Sequence, residues 1–395
     1  MRNTIDLKTA PRLVHYFRDV DLRGNSRPGY VPEGFPLHCR PDDDQWSAGF
    51  LLRVAVRFQH LWATYGVRDG KKTIQGPQPA VCFSAFNLGD LIAVRDGFLP
   101  LDEAATQFAL TLSIEVAEKG SIQRFAPASH EGADECDGAG CDVSSQSTNP
   151  PEWRWQYLGD YARTIDRLES QGVEEASIPG LELTQEQWSG LGVVVPDLAT
   201  ARVLQYDLLL LIDRGVVSAT HFDHILVCDK LPATIAGLHD YEVQSAFSEA
   251  CFDFKSCMPV STSEAGAAEK DFEIRVVNLD RITPKKPVKE SGGCWLWFQD
   301  NTHPYVRALI TAGLVRPNKR GRYLASLDEL DPGRDLRERQ DITLRLAQEL
   351  KETYGVRSTY FSVLHSQCAD DDPAYSGRVW GGGYYITPTP EDDED

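Results

Sequence analysis

Three features of the chain predict an α/β (α+β) protein with a mixed sheet and helices in its N-terminal half and a smaller α+β domain after it. Short runs of β-branched and aromatic residues alternate with segments of helical period between Pro11 and Pro232. A length of 395 residues favours two domains over one, and 42% hydrophobic content is ample for two packed cores. The chain is expected to divide into 1–238, with a flexible insert at 129–150, then 239–388, then a disordered acidic tail at 389–395.

In order, Pro11–Arg18 reads as a first strand with His15 as its unusual member, and a loop rich in Gly, Pro and Arg runs from Arg23 to Asp44. Trp46–Tyr65 carries Phe50, Val54, Phe58 and Trp62 at helical spacing and predicts a single helix stopped by Gly66. Pro79–Ser84 and Phe108–Ser113 predict strands, Leu88–Val94 a short helix, Ile114–Lys119 a helical turn stopped by Gly120, and Ile122–Ala126 another strand. After the insert come a helix at Tyr157–Glu169, a strand at Gly192–Val195, an amphipathic helix at Asp197–Val216 and a strand at Ile225–Cys228.

In the second half His239–Phe254 predicts a helix, the following Ser, Glu, Ala and Gly a loop to Lys270, and the alternation of Phe272–Leu279 a strand. Gly292–Phe298 predicts a strand, Pro304–Leu314 a helix opened by its proline, and Asp335–Tyr354 a helix with Ile342, Leu346, Leu350 and Tyr354 on one stripe. Thr359–Leu364 and Arg378–Ile386 close the prediction as strands.

Composition excludes several classes. No apolar run reaches membrane-spanning length and the first residues open no signal-peptide pattern, so a cytoplasmic protein with no membrane association is expected. Nine cysteines without zinc-finger spacing predict free thiols and no metal site. A formal net charge of −19 disfavours general attraction to phosphate backbones, so nucleic acid would have to be met by a local patch. The densest candidate is the turn holding Arg316, Lys319, Arg320 and Arg322.

The stretch Glu152-Trp153-Arg154-Trp155 is singled out by its alternation. As a strand it sends both tryptophans into a core and sets Glu152 and Arg154 together on the other face, lining a cavity. A carboxylate so backed has the rigid support that a catalytic carboxylate needs.

Taken together, "LVHYFR", "PAVCFSAFNLGDLI", "FALTLSIEVAEKGSIQRF", "PEWRW" and "VVVPDLATARVLQYDLLLLIDRG" resemble the bacterial abortive-infection (AbiGi-like) phage-resistance proteins, which in turn resemble the ADP-ribosyltransferase superfamily. The likeness spans roughly Pro11 to Pro232. It implies an antiviral defence effector, a toxin-like transferase that takes NAD as substrate and moves ADP-ribose to a nucleic-acid or protein acceptor, or hydrolyses NAD, under a phage-derived trigger or cognate regulator. It implies that His15 and Glu152 are catalytic and that Arg18, Phe83, Ser84, Phe86 and Arg154 hold the NAD. The middle motif carries Phe where relatives often carry Tyr, and Pro150-Pro151 stand where a second acid is usual. "GGCWLWFQDNTHPYVRALITAGLV" resembles an uncharacterised bacterial domain joined after such modules and read as a recognition or regulatory part. The competing expectation is a non-catalytic interaction protein of a phage-defence system, binding a protein or nucleic-acid partner.

Overall fold

The computed structural model describes residues 11–21, 23, 45–68, 71–72, 74, 78–98, 105–125, 152–171 and 178–377. The insert 129–150, nearly all of the loop 23–44, the strand expected at Arg378–Ile386 and the tail 389–395 lie outside them. The chain is a mixed α/β protein that divides into two compact units, one over described residues within 11–198 and 220–252, the other over 199–219 and 253–377.

The first unit begins with β1 (Arg12–Tyr16), β2 (Val20–Asp21), β3 (Gln45–Trp46), α1 (Ala48–Phe58), β4 (His60–Trp62), β5 (Val67–Arg68), β6 (Lys71–Lys72), β7 (Ala80–Ala85) and α2 (Leu88–Arg95). It continues with β8 (Ala109–Ser113), α3 (Ile114–Lys119), β9 (Gln123–Phe125), β10 (Glu152–Gln156), α4 (Tyr161–Gln171), β11 (Gly180–Glu182) and β12 (Leu191–Val195). The chain then forms α5 (Leu198–Asp213), which packs with the second unit, and returns as β13 (Phe222–Val227), α6 (Asp240–Ala250) and β14 (Cys251–Phe252). The main sheet runs β14-β13-β12-β8-β1-β7-β10-β9. Only β12 and β13 pair in parallel among the described strands; the rest of this sheet is antiparallel. The first unit therefore runs past residue 238, because β14 completes the sheet on β13.

One face of the sheet is closed by α2 and α6, whose Leu88, Leu91, Ile92 and Phe247 pack with Val14, Ala109, Val194 and Leu226. Burying each such side chain contributes roughly 1.5–3 kcal/mol. The single helix expected over Trp46–Tyr65 is in fact a helix and a strand. Ser47 caps α1 through a hydrogen bond from the Phe50 N–H, and Gln59 ends it in the left-handed region at φ 53°. The chain can then extend as β4, paired with β11.

The second unit comprises α5 with α7 (Thr262–Ile282), β15 (Gly292–Phe298), α8 (Pro304–Ala312), β16 (Val315–Pro317), β17 (Tyr323–Ala325), α9 (Leu336–Tyr354), β18 (Ser358–Leu364) and β19 (Tyr375–Ser376). Its antiparallel sheet has the order β16-β17-β15-β18-β19. Here the loop and strand expected up to Leu279 are overturned: α7 is one 21-residue helix. Ser261 and Glu264 form a capping box at its start, and Ala265, Ala268, Phe272, Val276 and Leu279 are buried at helical spacing. The apolar alternation that imitated a strand came from Ile274, about half exposed, falling between the buried Phe272 and Val276. The stripe of α9 is core at Ile342, Leu346 and Leu350, while Tyr354 at its end stacks on Tyr305 with centroids 4.4 Å apart.

Candidate functional site

In β1 the residues Leu13 and His15 alternate with Arg12, Val14 and Tyr16. Register with β7 sets Val14 opposite Ser84, hence His15 opposite Phe83, and register with β10 sets Phe83 opposite Trp153. Directly opposed residues share a face. His15, Phe83 and Trp153 therefore stand on one face of the sheet, and Ser84, Glu152, Cys82 and Arg154 on the other.

On the His15 face, the end of β1, helix α1 and strand β4 enclose a cavity of about 220 Å³. His15 and His60 line it, Trp46 and Trp62, whose rings pack against each other tilted with centroids 6.2 Å apart, supply aromatic surface, Leu51 and Val54 of α1 add apolar surface, and the exposed Arg18 is also part of its lining. The His15 Nδ1–H donates to the Cys82 carbonyl at 2.8 Å, and the ring packs edge-on against Phe17 at 4.9 Å and tilted against Phe83 at 5.6 Å. Burial pushes the His15 imidazole down to about 4; the Cys82 carbonyl opposes that shift and the positive charge of Arg18 adds to it. His60 Nε2–H donates to the Ile178 carbonyl at 2.7 Å, and burial likewise holds this imidazole below its ordinary value. Glycine is required at position 180, because a Cβ there would lie 2.3 Å from the Leu61 carbonyl oxygen and 2.5 Å from His60 Nε2.

The residues expected to be catalytic or to hold NAD separate accordingly. His15 and Arg18 line the cavity. Phe83 is buried beneath His15 as support and is not part of the lining. Phe86 packs edge-on against Phe247 at 6.3 Å, in the core under α6. Ser84, Glu152 and Arg154 face away from the cavity. His60, Trp46 and Trp62 were missed because their segment reads as one helix; the signal available was the alternation His60-Leu61-Trp62.

The Glu152 strand also departs from expectation. Arg154 is the buried member of β10, and Trp153 and Trp155 are only partly buried. The reason is β9: Arg154 lies 3.7 Å from the centre of the Phe125 ring and makes two hydrogen bonds to Glu152, at 3.1 and 2.9 Å. For Glu152, burial pulls the carboxyl pKa upward, but the hydrogen bonds from Arg154 and Cys82 outweigh it and hold the group below its usual value. Burial, with Glu152 nearby, pushes the Cys82 thiol up. These partners hold the carboxylate against Arg154 of its own strand and Cys82 of β7, while Arg154 carries the contact to Phe125 of β9, and Glu152 is not in the lining of the His15 cavity.

The basic turn is altered in the same way. Arg322 is 2% exposed and lies against the Phe361 ring at 4.8 Å and the Trp297 ring at 5.5 Å, so it is a packing residue and unavailable to phosphate. Arg320 pairs with Asp372 at 2.5 Å, and Asp370 beside it accepts from the Lys319 backbone N–H at 2.7 Å, while Arg316 is exposed. Acidic neighbours thus offset the positive charge at the tip.

Among its described residues the first unit accordingly carries a small aromatic, histidine-lined cavity on one face of its sheet. Comparison with known families matches residues 268–382 to the family described as a protein of unknown function (DUF4427), which covers the second unit from within α7 onward. No curated protein and no solved structure matches the chain. No described helix is long and apolar enough to cross a membrane.

Proposed function

We propose that the first unit binds a nucleotide of the NAD class, with one planar ring in the His15 cavity and the phosphates held at Arg18. On this reading the chain is a cytoplasmic, non-catalytic interaction protein of a phage-defence system. The observation that carries it is the cavity itself: aromatic walls, two imidazoles and an exposed guanidinium around a space for one ring system. Stacking and edge contacts with Trp46 and Trp62 suit a flat heterocycle. A guanidinium suits a phosphate, which it binds through paired N–H groups. At about 220 Å³ the cavity is smaller than the roughly 300–1,000 Å³ typical of sites that engulf a whole drug-sized ligand, so most of a dinucleotide would remain outside.

The same register argues against ADP-ribose transfer by Glu152. A carboxylate that stabilises the ribose cation must reach the ring's own sugar, and Glu152 lies on the far face, bonded to Arg154. Calorimetric titration of the protein with NAD and AMP tests the reading. Saturable binding that weakens at least tenfold in Arg18→Glu supports it. No heat of binding for either ligand refutes it, and NAD consumption abolished by Glu152→Gln would restore the transferase reading.

A further inference from the structure

We propose, resting on the nucleotide reading above, that His15 and His60 form a pair of fixed hydrogen-bond acceptors that select rings carrying an amine or amide N–H group. The hydrogen bonds assign the tautomers. A backbone carbonyl can only accept, so the proton of His15 is on Nδ1, facing Cys82, and that of His60 is on Nε2, facing Ile178. Each neutral ring then leaves its other nitrogen, Nε2 of His15 and Nδ1 of His60, as a bare lone pair. Among the described residues no group bonds either atom, and both histidines are among the residues that line the cavity. Neither ring can switch tautomer without giving up its carbonyl partner, which is held by the strand in one case and by the segment before β11 in the other.

Two acceptors among tryptophans and aliphatic side chains impose a rule on what enters. A ligand edge that presents N–H groups satisfies them. An edge that presents carbonyl oxygens or bare C–H leaves them unpaired in an apolar setting, at a cost on the order of tenfold in affinity for each missing bond. The exocyclic amine of adenine and the carboxamide of nicotinamide both present such N–H groups, and an unsubstituted purine presents none at that position. His15 and His60 are thereby specificity-determining residues and take no part in bond making.

The test compares AMP with purine riboside 5′-monophosphate, which has the same charge and shape but hydrogen in place of the amine. Titrated into the full-length protein, AMP is expected to bind at least tenfold more tightly, and His15→Phe, which removes one acceptor from a ring of similar size, is expected to reduce that ratio toward one. Equal affinities for the two ligands in the wild type would overturn the selection while leaving nucleotide binding in place. Absence of binding by both would overturn the selection and the nucleotide reading together. Should His15→Phe fail to fold, the wild-type ratio alone decides.

Discussion

Replacing Asp213 with alanine should unfold the second unit far more easily, and the size of the effect follows from the geometry. Both carboxylate oxygens of Asp213 accept from Arg307, at 2.6 Å from Nη1 and 3.0 Å from Nη2, and one also accepts from the Tyr323 hydroxyl at 2.8 Å. The side chains of Arg307 and Asp213 are 4% and 5% exposed. Asp213→Ala leaves the guanidinium buried without its counter-charge and the Tyr323 hydroxyl without that acceptor. Breaking a buried pair from one side costs about 3–5 kcal/mol, a large share of the roughly 5–15 kcal/mol that stabilises a typical domain. With an m-value of about 3 kcal/mol/M, the urea midpoint should fall by about 1–1.7 M. The double variant Asp213→Leu, Arg307→Met removes both charges and should recover most of the loss, since apolar replacement of a buried pair is often close to neutral. Urea unfolding followed by circular dichroism measures all three proteins. A midpoint drop below about 0.3 M for Asp213→Ala, or a double variant no better than the single, would refute the assignment of this pair as a buried, mutually dependent unit.

Further outcomes follow from other sites. His15 and His221 are both pushed down to about 4 by burial, so each is neutral in the fold and takes up a proton more readily when unfolded. Their contribution is complete above about pH 6.5 and is lost as pH falls toward 4, on the order of 2 kcal/mol each; urea midpoints at pH 7.5 and 4.5 should differ, and His221→Phe should narrow the gap. Gly180→Ala should push β11 off β4 and lower the melting temperature by several degrees through a loss of about 1–3 kcal/mol, whereas an unchanged melt would mean the strand yields without cost. Arg322→Ala should destabilise by about 2 kcal/mol through lost ring contacts. Charge reversal at Arg316 and Lys319 should leave the salt dependence of any nucleic-acid binding unchanged, and a shallower slope would revive the phosphate-contact reading.

The parts of this fold that were legible are those where local pattern and burial agree. The strands β1, β7 and β8 follow from runs of apolar and aromatic residues, and α8 from its first-turn proline and the glycine at its end. Periodicity misled where exposed apolar residues fell at strand spacing, as Ile274 does among Phe272 and Val276; the capping box Ser261-Thr262-Ser263-Glu264 was the better guide to α7. It misled again at Trp46–Tyr65, because apolar spacing cannot register a residue such as Gln59 that turns left-handed and stops the helix. For the site, alternation correctly set Glu152 and Arg154 on one face. Which face of the sheet holds the cavity depends on the pairing of β1 with β7 and of β7 with β10, and those registers are long-range facts that no single strand encodes.

The place of α5 bears on how this protein can be divided or inherited. The helix is the crossover between the parallel strands β12 and β13, yet its Tyr206 and Leu210 belong to the core that includes Phe272, Phe298 and Leu346, and its Asp213 is the counter-charge of Arg307. The family match at 268–382 begins more than fifty residues after α5 ends. A fragment excised at that boundary would carry the sheet, α8, α9 and most of α7 but leave a groove where Tyr206 and Leu210 sit and a stranded guanidinium at Arg307. Any relative built from the matched segment alone must fill that groove with a helix of its own, or replace Arg307 with an apolar residue, and its sequence at those positions would reveal which of the two it has done.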